Sequence, residues 1–275
     1  MTSESDALRA NNALWDEWTK IHETSEFYDL AAFRKDGIRL RPYELEEIGP
    51  VEGLEVLHLQ CHFGMDTLSF ARLGARVTGA DFSRAAVELA RSVAVDIGHP
   101  EARFVESNVY ELPDALDGEF DLVYTSRGVL GWLPDIRGWA RVVAHFVRPG
   151  GRFYITEIHP VAQVFEDEGI APGELRLRYP YWEHREPLAF PVVGSYANPT
   201  AAVATPTEYG WDHGLGEIVT ALVEAGLRID SLREYPFVDW PVGFLVEADD
   251  GTWRLPPGTA GELPLFFSIL ATKPG

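Results

Sequence analysis

The stretch EVLHLQCHFG, residues 55–64, decides the fold of this chain. Its first six residues are a short, mostly apolar run that predicts a buried strand, and the last four predict a tight turn. Residues 66–73 then follow a helical pattern, which Gly74 ends. A strand, a turn and a helix in this order are the first unit of a parallel α/β sheet.

The same unit recurs downstream in the chain. Further strands are predicted at residues 76–80, 103–105, 120–124, 152–156, 227–235 and 263–272. Further helices are predicted at residues 83–98, 134–150 and 216–225. Strands that alternate with helices predict a single α/β domain over residues 1–275, with a mostly parallel sheet and helices on both of its faces.

The composition argues against several classes of partner. With 46% hydrophobic and 12% aromatic residues, the chain can form a packed core. Its formal net charge of −20 repels phosphate backbones and anionic membranes, so neither a nucleic acid nor a membrane is an expected partner. The chain has no apolar run long enough for a membrane helix, no signal-peptide pattern and a single cysteine. We therefore expect a cytoplasmic protein.

The turn after the first strand and the acid after the second predict a nucleoside site. Ligands of doubly wound sheets bind beyond the carboxyl ends of the strands, where Asp81 ends strand two. A carboxylate at this point commonly accepts hydrogen bonds from ribose hydroxyls. The alternative is that Asp81 only caps the next helix, although Ser83 is already a good N-cap there.

The turn disfavours a dinucleotide. A G-x-G-x-x-G fingerprint lets the backbone approach a pyrophosphate, but here its glycine positions hold Gln60, His62 and Met65. In a shorter G-x-G-x-G frame, Gly64 is present at the third position. A nicotinamide-dependent reductase would also need a Tyr-x-x-x-Lys pair or an equivalent acid, and no lysine stands in such a pair. A nucleoside without a pyrophosphate therefore fits better.

Five motifs in chain order resemble the class I S-adenosylmethionine-dependent methyltransferase family. They are residues 56–68, 78–83, 104–113, 120–135 and 149–153. The resemblance covers residues 50–157, with a weaker match at 209–272. It implies a Rossmann-like sheet of seven strands in the order 3-2-1-4-5-7-6, with the last strand antiparallel. It also implies transfer of a methyl group from S-adenosylmethionine to a small-molecule acceptor. The expected accepting atom is oxygen or nitrogen.

The sequence pattern divides the domain into four segments with different expected roles. Residues 1–50 are expected to form an aromatic-rich helical cap, and residues 51–157 the cofactor-binding half. Residues 158–213, rich in proline and aromatic residues, are expected to form a lid over the acceptor. Residues 214–275 supply the last helix and strands.

The residues expected around the cofactor follow from the matching motif positions. His58 stands where the family usually has an acid, Gln60 and His62 where it has glycines, and Asn108 where Asp is usual. The side chains of Gln60 and His62 are candidates to bind the methionine portion, and Asn108 to bind the adenine. The full set is Gln60, His62, Gly64, Asp81, Phe82, Asn108, Val109 and Ser126. A non-catalytic nucleoside-binding module remains the alternative.

Two residues just past strand five are candidate catalytic groups. Glu157 and His159 follow the strand at its carboxyl edge, where either could deprotonate or orient the acceptor. The alternative is that they anchor the insertion by hydrogen bonds. The residues expected to line the acceptor site are Tyr28, Phe33, Trp132, Tyr209 and His213. His213 has the further alternative of capping the next helix.

A metal site is not expected. His58, Cys61 and His62 lie within five positions of one another. However, beyond these three residues the sequence offers neither a Cys pair nor a further His-x-x-x-His pair to complete four ligands. We therefore interpret them as one buried polar residue and two turn residues.

Overall fold

The protein is described by a computed structural model that covers residues 2–167, 169–184, 186–259 and 261–275. The helices are α1 (Glu4–Glu23), α2 (Leu30–Asp36), α3 (Pro42–Ile48), α4 (Met65–Arg72), α5 (Arg84–Asp96), α6 (Leu112–Ala115), α7 (Ile136–Phe146), α8 (Pro160–Gln163) and α9 (Leu215–Glu224). The strands are β1 (Glu55–Leu59), β2 (Arg76–Asp81), β3 (Arg103–Glu106), β4 (Phe120–Thr125), β5 (Val147–Ile158), β6 (Leu188–Pro191), β7 (Thr207–Gly210), β8 (Arg228–Tyr235), β9 (Val246–Glu247), β10 (Trp253–Arg254) and β11 (Phe266–Thr272).

Seven strands form the central sheet in the order β3-β2-β1-β4-β5-β11-β8. The first five are parallel, and β11 runs antiparallel to both β5 and β8. This arrangement confirms the fold predicted from the sequence. The direction of winding reverses between β1 and β4, so the carboxyl ends of these two strands form the switch point at which such folds bind ligands.

Alternation along β1 places its side chains on opposite faces of the sheet. Leu57 and Leu59 pack into a core cluster with Trp139 of α7 and Leu222 of α9. Val56 belongs to a different cluster, which includes residues of α3 and α4. Helices therefore cover both faces, and the intervening residue His58 lies on the α4 side.

The predicted helix boundaries differ from the structure at the end of α7. The sequence predicts a helix up to residue 150, but α7 ends at Phe146 and β5 begins at Val147. Pro149 explains the difference, because proline lacks an N–H donor and disfavours helical backbone in the residue before it. Strand β5 is therefore longer than predicted.

Two small sheets lie outside the central sheet. Strands β6 and β7 pair antiparallel within the 158–213 insertion, and β9 pairs with β10 between β8 and β11. The sequence predicts no strand in the region of the β9–β10 pair. In the described part of the chain, no helix is long and apolar enough to cross a membrane.

Candidate active site

The turn after β1 adopts a backbone that usually needs glycine. Gln60 and His62 have φ angles of 56° and 51°, and Gly64 has 78°. Left-handed backbone costs a non-glycine residue on the order of 1–2 kcal/mol. The N–H of His62 compensates in part, since it donates to Asp81 Oδ2 at 2.7 Å. The chain therefore keeps a sharp turn while it carries side chains at two of the three usual glycine positions.

Asp81 lies at the end of β2 with both carboxylate oxygens held in place. Oδ1 accepts from the N–H of Ser83 at 2.8 Å and Oδ2 from that of His62. The side-chain oxygen of Ser83 caps α5 through the N–H of Ala86, as predicted. Burial raises the pKa of Asp81 to about 6, although the two N–H donors oppose this shift. Each oxygen retains a lone pair, so Asp81 can accept from a ligand.

Other predicted cofactor residues follow the carboxyl ends of β2 and β3. Asn108 Oδ1 accepts from the N–H of Tyr110 at 3.1 Å, and Val109 packs into the core. The carbonyl of Phe82 accepts from the side-chain amide of Asn12 at 2.6 Å. Two buried oxygens, Gln60 Oε1 and Thr125 Oγ1, meet no hydrogen-bond partner among the described residues. These oxygens can serve a ligand at the switch point.

His58 joins three elements beneath the turn. Its Nδ1 lies 2.8 Å from Thr67 Oγ1 of α4, and its Nε2 lies 3.1 Å from Ser126 Oγ after β4. Burial lowers the pKa of His58 to about 4, so the ring is neutral near pH 7. Both ring nitrogens are thus engaged. No group of three or more potential metal-binding side chains occurs among the described residues.

We expect His58→Ala to lower the free energy of unfolding by about 2–4 kcal/mol, because it leaves a cavity and two hydroxyls without partners. Urea unfolding at pH 8 measures this loss, with exposed His145→Ala as the control. The folded pKa lies below the unfolded value, so the stabilisation by His58 is complete above about pH 6.5 and declines towards pH 4. If His58→Ala lowers the free energy of unfolding no more than the control does, the stabilising role of His58 is contradicted.

Helix α1 covers the turn and the start of α5. Asp16 Oδ1 accepts from Ser83 Oγ at 2.6 Å and from the N–H of Ala85 at 3.0 Å. The ring of Trp15 packs edge-on against His62, with centroids 5.2 Å apart, and against Trp132 at 5.3 Å. The cap and the loop after β4 therefore meet over the predicted cofactor turn.

Tyr28 brings the insertion to the same place. Its ring lies 5.4 Å from that of His62, and its hydroxyl is 2.5 Å from the hydroxyl of Tyr196. Of the five predicted acceptor residues, Tyr28 and Trp132 thus belong to one aromatic cluster, in which they join Trp15, Trp18, His22, His62 and Tyr196. This set is called the aromatic cluster below.

The other three predicted acceptor residues lie elsewhere. Phe33 is 2% exposed and packs in the core, with the Arg72 guanidinium 4.7 Å above its ring. Tyr209 lies in β7, where its backbone pairs with the side-chain amide of Asn11. His213 Nε2 lies 2.7 Å from the carbonyl oxygen of Leu133. The structure therefore places Phe33 in the core rather than at the wall of a cleft, because its whole ring is enclosed.

Glu157 is surrounded by backbone donors. Its carboxylate accepts from the N–H groups of Gly128 at 2.5 Å, Val129 at 2.8 Å and Leu130 at 3.0 Å. The N–H of Ile158 adds a fourth bond at 2.6 Å. Burial raises the pKa of Glu157, and the four donors act against that rise. Through these hydrogen bonds Glu157 anchors the loop after β4. Glu157 could act as a base only if some of these bonds were broken.

His159 has a hydrogen bond at one ring nitrogen and a carboxylate close to the other, without hydrogen-bond geometry. Nδ1 accepts from the N–H of Val161 at 3.1 Å, which caps α8, and Nε2 lies 2.9 Å from Glu234 Oε1 of β8. Burial lowers the pKa of His159, against the opposing effect of Glu234. These contacts direct the ring towards β8, and the catalytic role of His159 remains a hypothesis.

Sequence reasoning missed two polar residues of the site. His22 is fully buried, with Nδ1 3.3 Å from His62 Nε2 and Nε2 3.1 Å from Ser195 Oγ. The buried stripe of α1 offered a signal, because Asn11 and His22 stand among its apolar positions at helical spacing. No local pattern points to Ser195.

A buried ion-pair network beside the site was also missed. Arg127 follows Ser126 and contacts Glu44 Oε2 at 2.5 Å and Asp239 Oδ2 at 3.4 Å. Glu44 Oε1 accepts from the hydroxyl of Tyr124 at 2.6 Å. These partners are far apart in sequence, so spacing could not reveal them. The network fixes α3 against the end of β4.

Comparison with known proteins agrees with this geometry. Residues 56–151 match the family described as methyltransferase domain. A ubiquinone biosynthesis O-methyltransferase of Albidiferax ferrireducens is 34% identical over 136 residues, which are 48% of this chain and 54% of that protein. One from Escherichia coli is 30% identical over 157 residues, 55% of this chain and 65% of that protein. The chain thus matches these curated relatives over less than two thirds of their length.

Solved structures share the fold over most of the chain. An S-adenosylmethionine-dependent methyltransferase from Mesorhizobium loti superposes with a TM-score of 0.56 at 21% identity, over 91% of this chain and 99% of that one. The glycopeptide N-methyltransferase MtfA, complexed with S-adenosyl-L-methionine, gives 0.53 at 21% identity, over 83% and 90%. Residues 56–151 therefore match a methyltransferase domain, and the chain shares its fold with class I S-adenosylmethionine-dependent methyltransferases, in agreement with the resemblance of its five motifs.

Proposed function

We propose that this protein transfers the methyl group of S-adenosylmethionine to oxygen or nitrogen of a small molecule. The observation that carries the proposal is the carboxylate of Asp81, which the N–H groups of His62 and Ser83 hold beside the turn after β1. Its remaining lone pairs suit the two ribose hydroxyls of a nucleoside. The names of the curated relatives favour oxygen as the accepting atom.

The residues at the switch point fit this cofactor. Asp81 holds the ribose, Asn108 meets the adenine, and Gln60 with His62 faces the methionine portion. The buried, unpartnered Oε1 of Gln60 supports this assignment, because it lacks a partner within the described protein. When bound, the cofactor supplies an activated methyl group, and the turn offers no glycine-lined approach for a pyrophosphate.

The protein contributes mainly by positioning the reactants and by excluding water from them. Much of the catalysis of a displacement at carbon can come from the nucleophile being held close to the methyl group. The aromatic cluster excludes water from the turn, and the loop after β4 is fixed by Glu157. Glu157 and His159 remain the candidates to orient the acceptor or to take its proton.

A non-catalytic nucleoside-binding module is the second candidate. It is favoured by one observation: both candidate bases already have hydrogen-bond or ion-pair partners. Such a module would bind the cofactor without turnover on any acceptor.

The proposed setting is the cytoplasm, with a small molecule as the partner. The net charge of −20 disfavours polyanionic partners such as nucleic acids.

Calorimetric titration with S-adenosylhomocysteine and, separately, with NADH tests the donor. We expect micromolar binding of S-adenosylhomocysteine and no binding of NADH, because the turn lacks the glycines of a dinucleotide site. A screen of phenols, carboxylic acids and amines with labelled S-adenosylmethionine then separates the two candidates. Label transfer supports the enzyme, and binding without transfer to any acceptor supports the module. Binding of NADH alone would refute both.

A further inference from the structure

Three polar side chains, of which His22 and Ser195 are buried and His62 is half-buried, connect the cap, the turn after β1 and the insertion. His22 of α1 lies between His62 of the turn, at 3.3 Å, and Ser195 of the insertion, at 3.1 Å. His22 is 0% and Ser195 4% exposed. Their separations of 40 and 173 residues mean that only the tertiary fold brings them together.

The hydrogen bonds around Ser195 set the direction of this chain. Ser195 Oγ accepts from the N–H of Ala197 at 3.1 Å and, at 3.3 Å, from the N–H of Asn198, which also donates to the carbonyl oxygen of Ser195 at 3.0 Å. Because these donors already face Oγ, the hydroxyl hydrogen is directed to Nε2 of His22. A neutral imidazole carries a single N–H, so His22 holds its hydrogen on Nδ1 and donates to Nε2 of His62. His62 is then left with its hydrogen on Nδ1.

Both rings are neutral under ordinary conditions. Burial lowers the pKa of His22 to about 3 and that of His62 well below its usual value, with the neighbouring His22 adding to the second shift. Each ring thus carries one N–H near pH 7, which is the protonation state that the hydrogen bonds from Ser195 to His22 and from His22 to His62 require. Among the described residues, His62 Nδ1 meets no protein hydrogen-bond partner.

The ring of His62 is fixed beside the nucleoside site. Its own backbone N–H donates to Asp81, and its ring packs against those of Trp15 and Tyr28 at 5.2 and 5.4 Å. It also stands at a turn position where the usual glycine would have no side chain. The free Nδ1–H is therefore available next to the place where Asp81 holds the ribose.

We propose that Nδ1–H of His62 binds the carboxylate of the methionine portion of the cofactor, and that Ser195 and His22 are positioning residues that hold this tautomer. The inference rests on the proposed function and assigns a part of it to the insertion. It makes the affinity for the amino-acid end of the cofactor depend on a serine in the 158–213 segment.

Two ligands separate this contact from the rest of the site. S-adenosylhomocysteine carries the amino-acid portion, whereas methylthioadenosine has the same nucleoside and thioether without it. We expect Ser195→Ala and His22→Leu to weaken S-adenosylhomocysteine binding about tenfold and to leave methylthioadenosine binding unchanged, because only the first ligand has a carboxylate. His22→Asn should restore most of the loss, since its amide can donate from the position of Nδ1.

Thr205→Val is the matched control. Thr205 also joins the insertion to α1, through a 2.6 Å hydrogen bond to Glu17, but it lies outside the histidine chain. Both ligands should bind this variant as they bind the unchanged protein. Nitrogen-15 shifts of His62 supply a readout that does not depend on ligand, and they should show the hydrogen on Nδ1.

The outcomes distinguish the two proposals. If S-adenosylhomocysteine does not bind the unchanged protein, the proposed function fails and the inference fails with it. If it binds, but Ser195→Ala and His22→Leu change both affinities equally or neither, only the inference is overturned. A hydrogen on Nε2 of His62 would overturn the inference as well.

Discussion

Glu157→Ala is expected to lower the free energy of unfolding by about 4 kcal/mol, because it removes the acceptor of four partly or fully buried N–H donors at once. Three of these donors are consecutive, from Gly128 to Leu130, and hold the loop after β4 against the end of β5. The fourth is the N–H of Ile158. Urea unfolding followed by circular dichroism measures the change.

The glutamine variant separates anchoring from proton transfer. Glu157→Gln keeps one acceptor oxygen, so we expect a smaller loss of about 2 kcal/mol. The exposed Glu262→Ala serves as the control and should change stability by less than about 0.5 kcal/mol. If Glu157→Ala is as stable as that control, the anchor role is wrong. A folded Glu157→Gln protein that binds S-adenosylhomocysteine but has lost turnover would instead support the base hypothesis.

The parts of the fold that the sequence predicted are those set by local patterns. The apolar run at β1, the stop at Gly74 and the cap at Ser83 each depend on neighbouring residues. The strand order could not be read from periodicity, and it came from the resemblance of five motifs to a family. The small β9–β10 sheet has strands of two residues each, too short to leave a periodic pattern.

The contacts of the site depend on long-range packing instead. The position of Glu157 at the edge of the sheet was predictable, but three of its four donors lie 27 to 29 residues earlier in a loop with no regular pattern. His22 reaches His62 only because α1 folds back over the turn. The sequence does not distinguish a phenylalanine in the core from one that lines a cleft. Only the packing of α2 against α4 shows that Phe33 is enclosed.

Asp81→Ala is expected to weaken S-adenosylhomocysteine binding about a hundredfold, because two hydrogen bonds from hydroxyls to a charged acceptor are lost. The substitution also frees the N–H of His62, which helps to hold the left-handed turn. Asp121→Ala is a matched control, since Asp121 lies near the amino end of β4 and accepts from the N–H of Glu55. This control should alter stability and leave the affinity unchanged. An equal loss in both variants would mean that Asp81 acts on folding alone.

The pH dependence of this affinity follows from the same carboxyl group. The pKa of Asp81 is raised to about 6, so the free protein carries the protonated form below that pH and the ionised acceptor above it. The affinity should therefore fall as the pH decreases from 7.5 to 5. Burial lowers the pKa of His22 to about 3, so this ring stays neutral over the window, and burial lowers the pKa of His62 as well. Asp81→Asn cannot ionise, and calorimetry should find its weaker affinity independent of pH. If the affinity of this variant still changes with pH, a group other than Asp81 is responsible for the titration.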